Sequence, residues 1–276
     1  MNKIIIAILV LTISGIAGAT INFPMNGLTG LWRFQDSANK FAPTFGTAPI
    51  TSSNAGNSAW FSGPWTMVGT PVNNGLYADG GCIQERIWDY ITVQHGISGA
   101  NGGGSYINEY TVAIDYCQTS GLTAWNSLFQ TAWGGNSNDG DLWTDGAGHI
   151  GVGATGYSTL TYDASKWHRI ILSVDNGSFY RVYVDGVLFL DGAGQAIDGR
   201  FSLELDQFNL FADDSWEDQW GLVGTVAVWG RALSTAEVAG MGGWINGSAT
   251  PTIWVAPEPA TIAIIAFGGL LIRRKK

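Results

Sequence analysis

The chain has 276 residues, with 13 Lys and Arg against 22 Asp and Glu, a formal charge of −9. Five of the basic residues (Lys3, Arg273, Arg274, Lys275, Lys276) but only one acid, Glu258, lie at the two ends, so residues 20–256 carry 8 basic and 21 acidic groups, a charge of −13. Such a surface repels phosphates and anionic lipid and argues against nucleic acid as a partner, while the few charges and many Gly, Ser, Thr, Asn and aromatic residues suit one extracellular β domain with a large core.

Lys3, the apolar run Ile4–Ile13 and the small-residue site Ala17-Gly18-Ala19 read as a secretory signal peptide over residues 1–19, cleaved after Ala19. Strand signals recur from Leu31 to Trp229, with long loops expected over Thr44–Thr70. Tyr110–Cys117 alternates, with Tyr110, Val112, Ile114 and Tyr116 on one face. Trp167–Val174 is a second strand. Tyr180–Val184 and Val187–Leu190 flank Asp185-Gly186, a two-residue hairpin turn. Phe208–Phe211 follows, then Leu222–Trp229, in which Leu222, Gly224, Val226 and Val228 are expected to oppose Val223, Thr225, Ala227 and Trp229. Ser234-Thr-Ala-Glu237 is a capping box, and Gly240, Gly242 and Gly243 stop the short helix it starts. Residues 245–256 read as a spacer. The tail, residues 257–276, joins Pro257-Glu258-Pro259 to the uncharged run Ala260–Ile272 and four cations. The run predicts an apolar tail helix, short of the about 20 residues a stable span needs, and the cations favour the cytoplasmic side.

That tail resembles the PEP-CTERM sorting signal of Gram-negative bacteria. The resemblance implies export, transient retention in the inner membrane, and cleavage near Pro257-Glu258-Pro259 by a membrane-embedded exosortase in a polysaccharide-making cell. The alternative is an uncleaved tail anchor. Within residues 20–244, Trp167–Val174, Tyr180–Gly186 and Gly221–Val238 resemble laminin-G-like, concanavalin A-like domains. His95-Gly96, Asn101–Gly104 and Asn108–Thr111 are similar to a bacterial branch of that superfamily. The resemblance implies an all-β jelly-roll sandwich of two antiparallel sheets, with one short helix near its end. It implies no single function, because lectins, glycosidases and adhesion modules share this fold.

Candidate chemistry is led by the acidic loop Asp213-Asp214-Ser215-Trp216-Glu217-Asp218. Asp213, Asp214, Glu217 and Asp218 can supply several of the 6–8 oxygens that Ca²⁺ takes; a solvated loop that discourages edge aggregation is the alternative. Asn138, Asp139, Asp141 and Asp145 invite the same reading, though Asp-Gly pairs are first of all turns. Trp32, Trp88, Trp167 and Trp229 are expected in the core. Trp60, Trp65, Trp125, Trp133, Trp143, Trp216 and Trp220 fall in polar, Gly-rich surroundings where an indole can stack on a pyranose or close a loop over the core. Trp133, Trp143, Trp216 and Trp220 are the indoles assigned to a glycan.

Glu204-Leu205-Asp206 approaches the Glu-x-Asp-x-Glu strand of some glycosidases, but Phe208 stands at the third position. Without a second opposed carboxylate a retaining mechanism lacks a partner, and no residue is assigned as catalytic. His95, His149 and His168 lack metal-ligand spacing. Cys82 and Cys117, 35 residues apart, are either a disulfide stabilising by roughly 3–4 kcal/mol in an exported chain or two buried thiols. The sequence thus predicts an exported, surface-sorted, non-catalytic sandwich that contacts polysaccharide. The alternatives are a glycoside hydrolase or lyase of the same fold, and a structural envelope protein.

Overall fold

The computed structural model describes residues 24–34, 36–53, 59–62, 66–67, 70–71, 81–122, 125–131, 139–215 and 217–243. The signal-peptide and sorting assignments, with Ala19, Pro257, Glu258, Pro259 and the tail helix, lie outside these residues, as do Trp65, Trp133 and Trp216. Among the described residues no helix is long and apolar enough to cross a membrane.

In chain order the strands are β1 (Leu28–Trp32), β2 (Thr51–Ser52), β3 (Trp60–Ser62), β4 (Thr66–Met67), β5 (Thr70–Pro71), β6 (Gly81–Glu85), β7 (Ile91–Gln94), β8 (Glu109–Gln118), β9 (Asn126–Phe129), β10 (Leu142–Thr144), β11 (Ile150–Val152), β12 (Gly156–Tyr157), β13 (His168–Asp175), β14 (Phe179–Val184), β15 (Val187–Gly192), β16 (Gln207–Leu210) and β17 (Gly221–Trp229). The helix α1 (Thr235–Met241) follows. One sheet has the order β15-β14-β13-β8-β17-β6-β3, with β1 also paired to β17. β6 takes the first half of β17 and β1 the second, so both lie along one flank of it. The facing sheet comprises β12-β11-β10-β9 and β16-β7-β2, stitched together by the antiparallel bridge between Gln130 and Asn209. All named pairings are antiparallel.

The main core lies between the sheets. β8 contributes Tyr110, Val112, Ile114 and Tyr116 to it, and the facing sheet contributes Leu128, Phe129, Leu142 and Ile150. A second core lies on the outer face of the large sheet, where Ala113, Ile171, Tyr183 and Trp229 pack beneath Val238 and Met241 of α1. β8, β13 and β17 are therefore covered on both faces, which is why their sequences read as nearly continuous apolar runs. Arg169 and Asp115, register partners on β13 and β8, are both fully buried under the helix. The guanidinium meets the carboxylate at 2.9 and 3.1 Å and donates to the Met241 carbonyl at 2.8 Å.

Local chemistry explains the punctuation. Asp185 and Gly186 both take positive φ (52° and 80°) in the β14–β15 turn, as a two-residue hairpin of this hand requires. Ser234 and Glu237 form the reciprocal capping box at the start of α1.

Two expectations change, and one open alternative is decided. The alternation along β17 is broken by a bulge between Val223 and Thr225, so Val223 joins Val226 and Val228 in the inter-sheet core; one extra residue reverses the facing of everything beyond it. Trp32, Trp167 and Trp229 are buried, but Trp88 is 63% exposed, at a φ of 77° in the turn after β6. Finally, Cys82 and Cys117 are free, buried thiols rather than a disulfide. β17 separates β6 from β8, which sets the two strands about 9.6 Å apart, beyond the about 7 Å Cα limit for a bridge.

Candidate functional site

The facing sheet shapes an open cleft of about 320 Å³ beside β10, β11 and β12. Its floor is Trp143, in the middle of β10, buried to 4% exposure. The indole donates to the Gly140 carbonyl at 3.0 Å, and glycine is needed there because a Cβ at 140 would come within 2.9 Å of the Trp143 ring. Trp125, just before β9, and Tyr157, in β12, form the wall and remain 42% and 36% exposed. Trp125 stands edge-on to Trp143, with centroids 6.3 Å apart and planes at 89°, and lies 5.6 Å from Tyr157. Three aromatic rings from three elements thus surround one concavity.

Polar groups occupy the remaining side: Asp139, Arg200 and Glu217 line the cleft. Arg200 donates from Nε to Asp141 at 2.6 Å, and from its terminal nitrogen to Asp139 at 2.9 Å and the Gly140 carbonyl at 2.6 Å. Asp141 is buried and also accepts from the amide and hydroxyl of Thr131, both at 2.8 Å. Burial raises its carboxyl, against the lowering effect of the Thr131 and Arg200 bonds. Asp141 thus anchors Arg200, and Arg200 fixes Asp139 at the cleft.

The loop between β16 and β17 docks on β9. The Ser127 amide donates to the Glu217 carbonyl at 2.7 Å, its hydroxyl to the Ala212 carbonyl at 2.7 Å, and the Gln219 amide to Asn126 at 3.0 Å. Asp213, buried, accepts the amides of Ser215 (2.7 Å) and Glu217 (3.1 Å), closing the loop on itself. This brings oxygens of Asp139, Asp213 and Asp214 within 4.8 Å of one another. The Glu217 carboxyl is pushed up by burial and then by Asp213, Asp139 and Asp214. The two acidic stretches of the sequence therefore meet, through Asp139 on one side and Asp213 and Asp214 on the other.

Asp218 turns elsewhere. It accepts the Trp88 amide at 2.5 Å and is held near pKa 6, by burial first and by Asp213 and Asp89 after it. Of the indoles assigned to a glycan, Trp143 lies in the cleft, and Trp220 lies outside it, beneath Arg86. Tyr157 and Arg200 were not singled out from the sequence, and Trp125 was named only among the indoles of polar, Gly-rich stretches. Trp60 donates to the Phe34 carbonyl at 2.6 Å and packs against the core.

The histidines are structural. His95 is buried, accepts from the Ile97 amide and bonds the Glu204 carbonyl, and burial lowers its pKa. His149 and His168 pair with Asp145 and Asp185 at 2.8 and 2.7 Å.

No family model matches the chain, and neither does any curated protein. Solved structures do. A Trypanosoma rangeli sialidase in complex with sialic acid aligns over 79% of this chain and 33% of its own length, with 14% identity and a TM-score of 0.55. The binding domain of botulinum neurotoxin serotype D aligns over 80% of this chain and 51% of that chain, with 16% identity and a TM-score of 0.51. The chain thus spans a third to a half of the proteins it resembles. At these identities what is shared is the fold, and the chain is a β-sandwich of the architecture found within those proteins.

Proposed function

We propose that the Trp125–Trp143–Tyr157 cleft binds carbohydrate and that the protein is an exported, non-catalytic sandwich contacting polysaccharide. The observation that carries this reading is the convergence of three rings, two of them exposed, with Asp139, Arg200 and Glu217 in one concavity. Indole and phenol faces accept the C–H face of a pyranose, while carboxylates and a guanidinium match its hydroxyls. The sialidase and toxin likeness supports the reading through fold alone. Membership of the laminin-G-like, concanavalin A-like superfamily, export over residues 1–19 and exosortase sorting through Pro257-Glu258-Pro259 belong to the same proposal and rest on the sequence.

A glycan array probed with the purified protein tests it. At least one oligosaccharide class binds, and Trp125→Ala weakens that binding by about tenfold or more with the fold intact. Absence of any glycan ligand, or equal binding by the variant, contradicts it. The raised Glu217 carboxyl beside Asp139 favours a glycoside hydrolase as the second reading. Release of reducing ends from a bound glycan decides between the two.

The lip of the cleft fits a hard cation. Asp139, Asp213 and Asp214 offer oxygens close enough to share one ion, with solvent to complete the shell of Ca²⁺. At one hundred times Kd, an ion that binds only the folded state stabilises by about 2.7 kcal/mol, a rise in Tm of roughly 5–10 °C at this size. Asp214→Asn removes most of that rise. A melting curve unmoved by millimolar Ca²⁺ leaves the loop as a solvated turn.

A further inference from the structure

Trp88 is the most exposed of the described tryptophans, and its backbone is held where a bulky residue is unfavourable. Its φ of 77° costs about 1–3 kcal/mol, and the turn persists because Asp218 accepts the Trp88 amide at 2.5 Å and the Asp89 amide bonds back to Arg86 at 3.1 Å. The indole is 63% exposed and so is open to a ligand.

The neighbouring residues complete a surface. β6 and β17 pair Glu85 with Gly221, so the next residues outward, Arg86 and Trp220, stand opposite one another. The Arg86 guanidinium lies 5.6 Å from the centroid of the Trp220 ring, itself 37% exposed. The two contacts, 86 with 220 and 88 with 218, place Trp88 and Trp220 at the same end of the β6–β17 pair.

Arg86 is also chemically distinctive. Arg169, Arg181, Arg200 and Arg231 each grip a carboxylate. Among the described residues Arg86 grips none, and its buried Nε has no hydrogen-bond partner, although Glu85 and Asp218 lie within two residues of Arg86 and Trp220. Those acids are turned away: Glu85 is buried, on the face of β6 shared with the core residue Ile83, and Asp218 holds the Trp88 amide. A guanidinium with no carboxylate partner among the described residues, set against the exposed Trp220 and two residues from the exposed Trp88, is matched by a ligand that carries both an apolar face and a carboxylate.

We propose that Arg86, Trp88 and Trp220 form a second binding platform, for acidic polysaccharide, in which the indoles stack on pyranose faces and the guanidinium forks onto a uronate carboxylate. The planar fork suits a carboxylate better than an ammonium does, and stacking indoles supply area without an enclosing pocket. The platform rests on the carbohydrate reading of the protein but uses none of the cleft residues, so each can fail separately.

The test titrates the full chain with polygalacturonate, and with dextran as a neutral polymer. Polygalacturonate binds, more weakly as salt rises, while dextran does not bind at this surface. Arg86→Gln, and separately Arg86→Lys, weakens polygalacturonate binding by about tenfold. Trp88→Gly raises Tm, because glycine relieves the positive φ, and yet loses polymer binding, an outcome that a merely structural role for Trp88 does not produce. The platform is overturned if polygalacturonate fails to bind the native chain, or if Arg86→Gln and Trp88→Gly bind it as the native chain does. Failure of the cleft appears instead as the absence of any oligosaccharide sensitive to Trp125→Ala.

Discussion

Asp115→Ala lowers the stability of the domain by about 3–5 kcal/mol, the expected cost of stranding one charge of a buried pair. Arg169 and Asp115 are fully buried, and the guanidinium spans the carboxylate and the C-terminal end of α1. Removing the carboxylate leaves a cation between two packed strands and a helix, still bonded to the Met241 carbonyl but without its counter-charge. Domains of this kind hold only about 5–15 kcal/mol in total, so the variant unfolds at markedly lower urea. The pair itself is less valuable than its breakage suggests: Asp115→Leu combined with Arg169→Met recovers much of the loss, because no charge then remains to be desolvated. A single variant within about 1 kcal/mol of the native chain contradicts the buried-pair account.

Glu85→Gln has the opposite sign: it stabilises the protein at pH 8. Neither Glu85 oxygen has a hydrogen-bond partner among the described residues, and the side chain is 1% exposed. Burial, then Asp89 and Asp218, push its carboxyl well above the usual range. The unfolded chain ionises Glu85 at its ordinary pKa, so the folded state holds more protons above that point and loses stability as pH rises. Asp218, held near pKa 6, adds a loss that is complete above about pH 6. Glu237, held down near 2 chiefly by Arg231, acts only at more acidic pH. His95, lowered by burial, opposes the trend below its ordinary pKa, so the readout is the difference between variant and native chain. That difference is about 1–3 kcal/mol in favour of Gln at pH 8 and shrinks toward pH 4. A variant less stable at pH 8 than the native chain contradicts the assignment.

The strands that the sequence made legible are those that carry the large sheet. Tyr110–Cys117, Trp167–Val174 and the Asp185-Gly186 hairpin each bury enough residues in a regular period to announce themselves, and each appears within a residue or two at either end. The facing sheet was much less legible. β9, β10 and β11 have only 3–4 residues each, too short for a period to rise above local composition. The bulge at Gly224 is a register event, and only the partner strand reveals it.

The cleft was hidden for a related reason. Trp125, Asp139, Trp143, Tyr157, Arg200 and Glu217 come from separate segments, and pairing across the facing sheet brings them together. Composition did show that indoles in Gly-rich polar stretches and two acidic runs were the candidates. It could not show that Asp139 would meet Asp213 and Asp214, or that Asp218 would turn to Trp88. Trp88 was misread because it stands in or beside a strand pattern, which suggested burial. The turn at Arg86–Asp89 carries the ring outward instead.

The most direct test of the central claim is an experimental structure of the protein with a bound oligosaccharide found on the array. The account predicts a pyranose ring against Trp125 and Tyr157, above Trp143, with hydroxyls on Asp139, Arg200 or Glu217. A glycan seated on the outer face of the large sheet, beside α1, with the cleft empty, contradicts it.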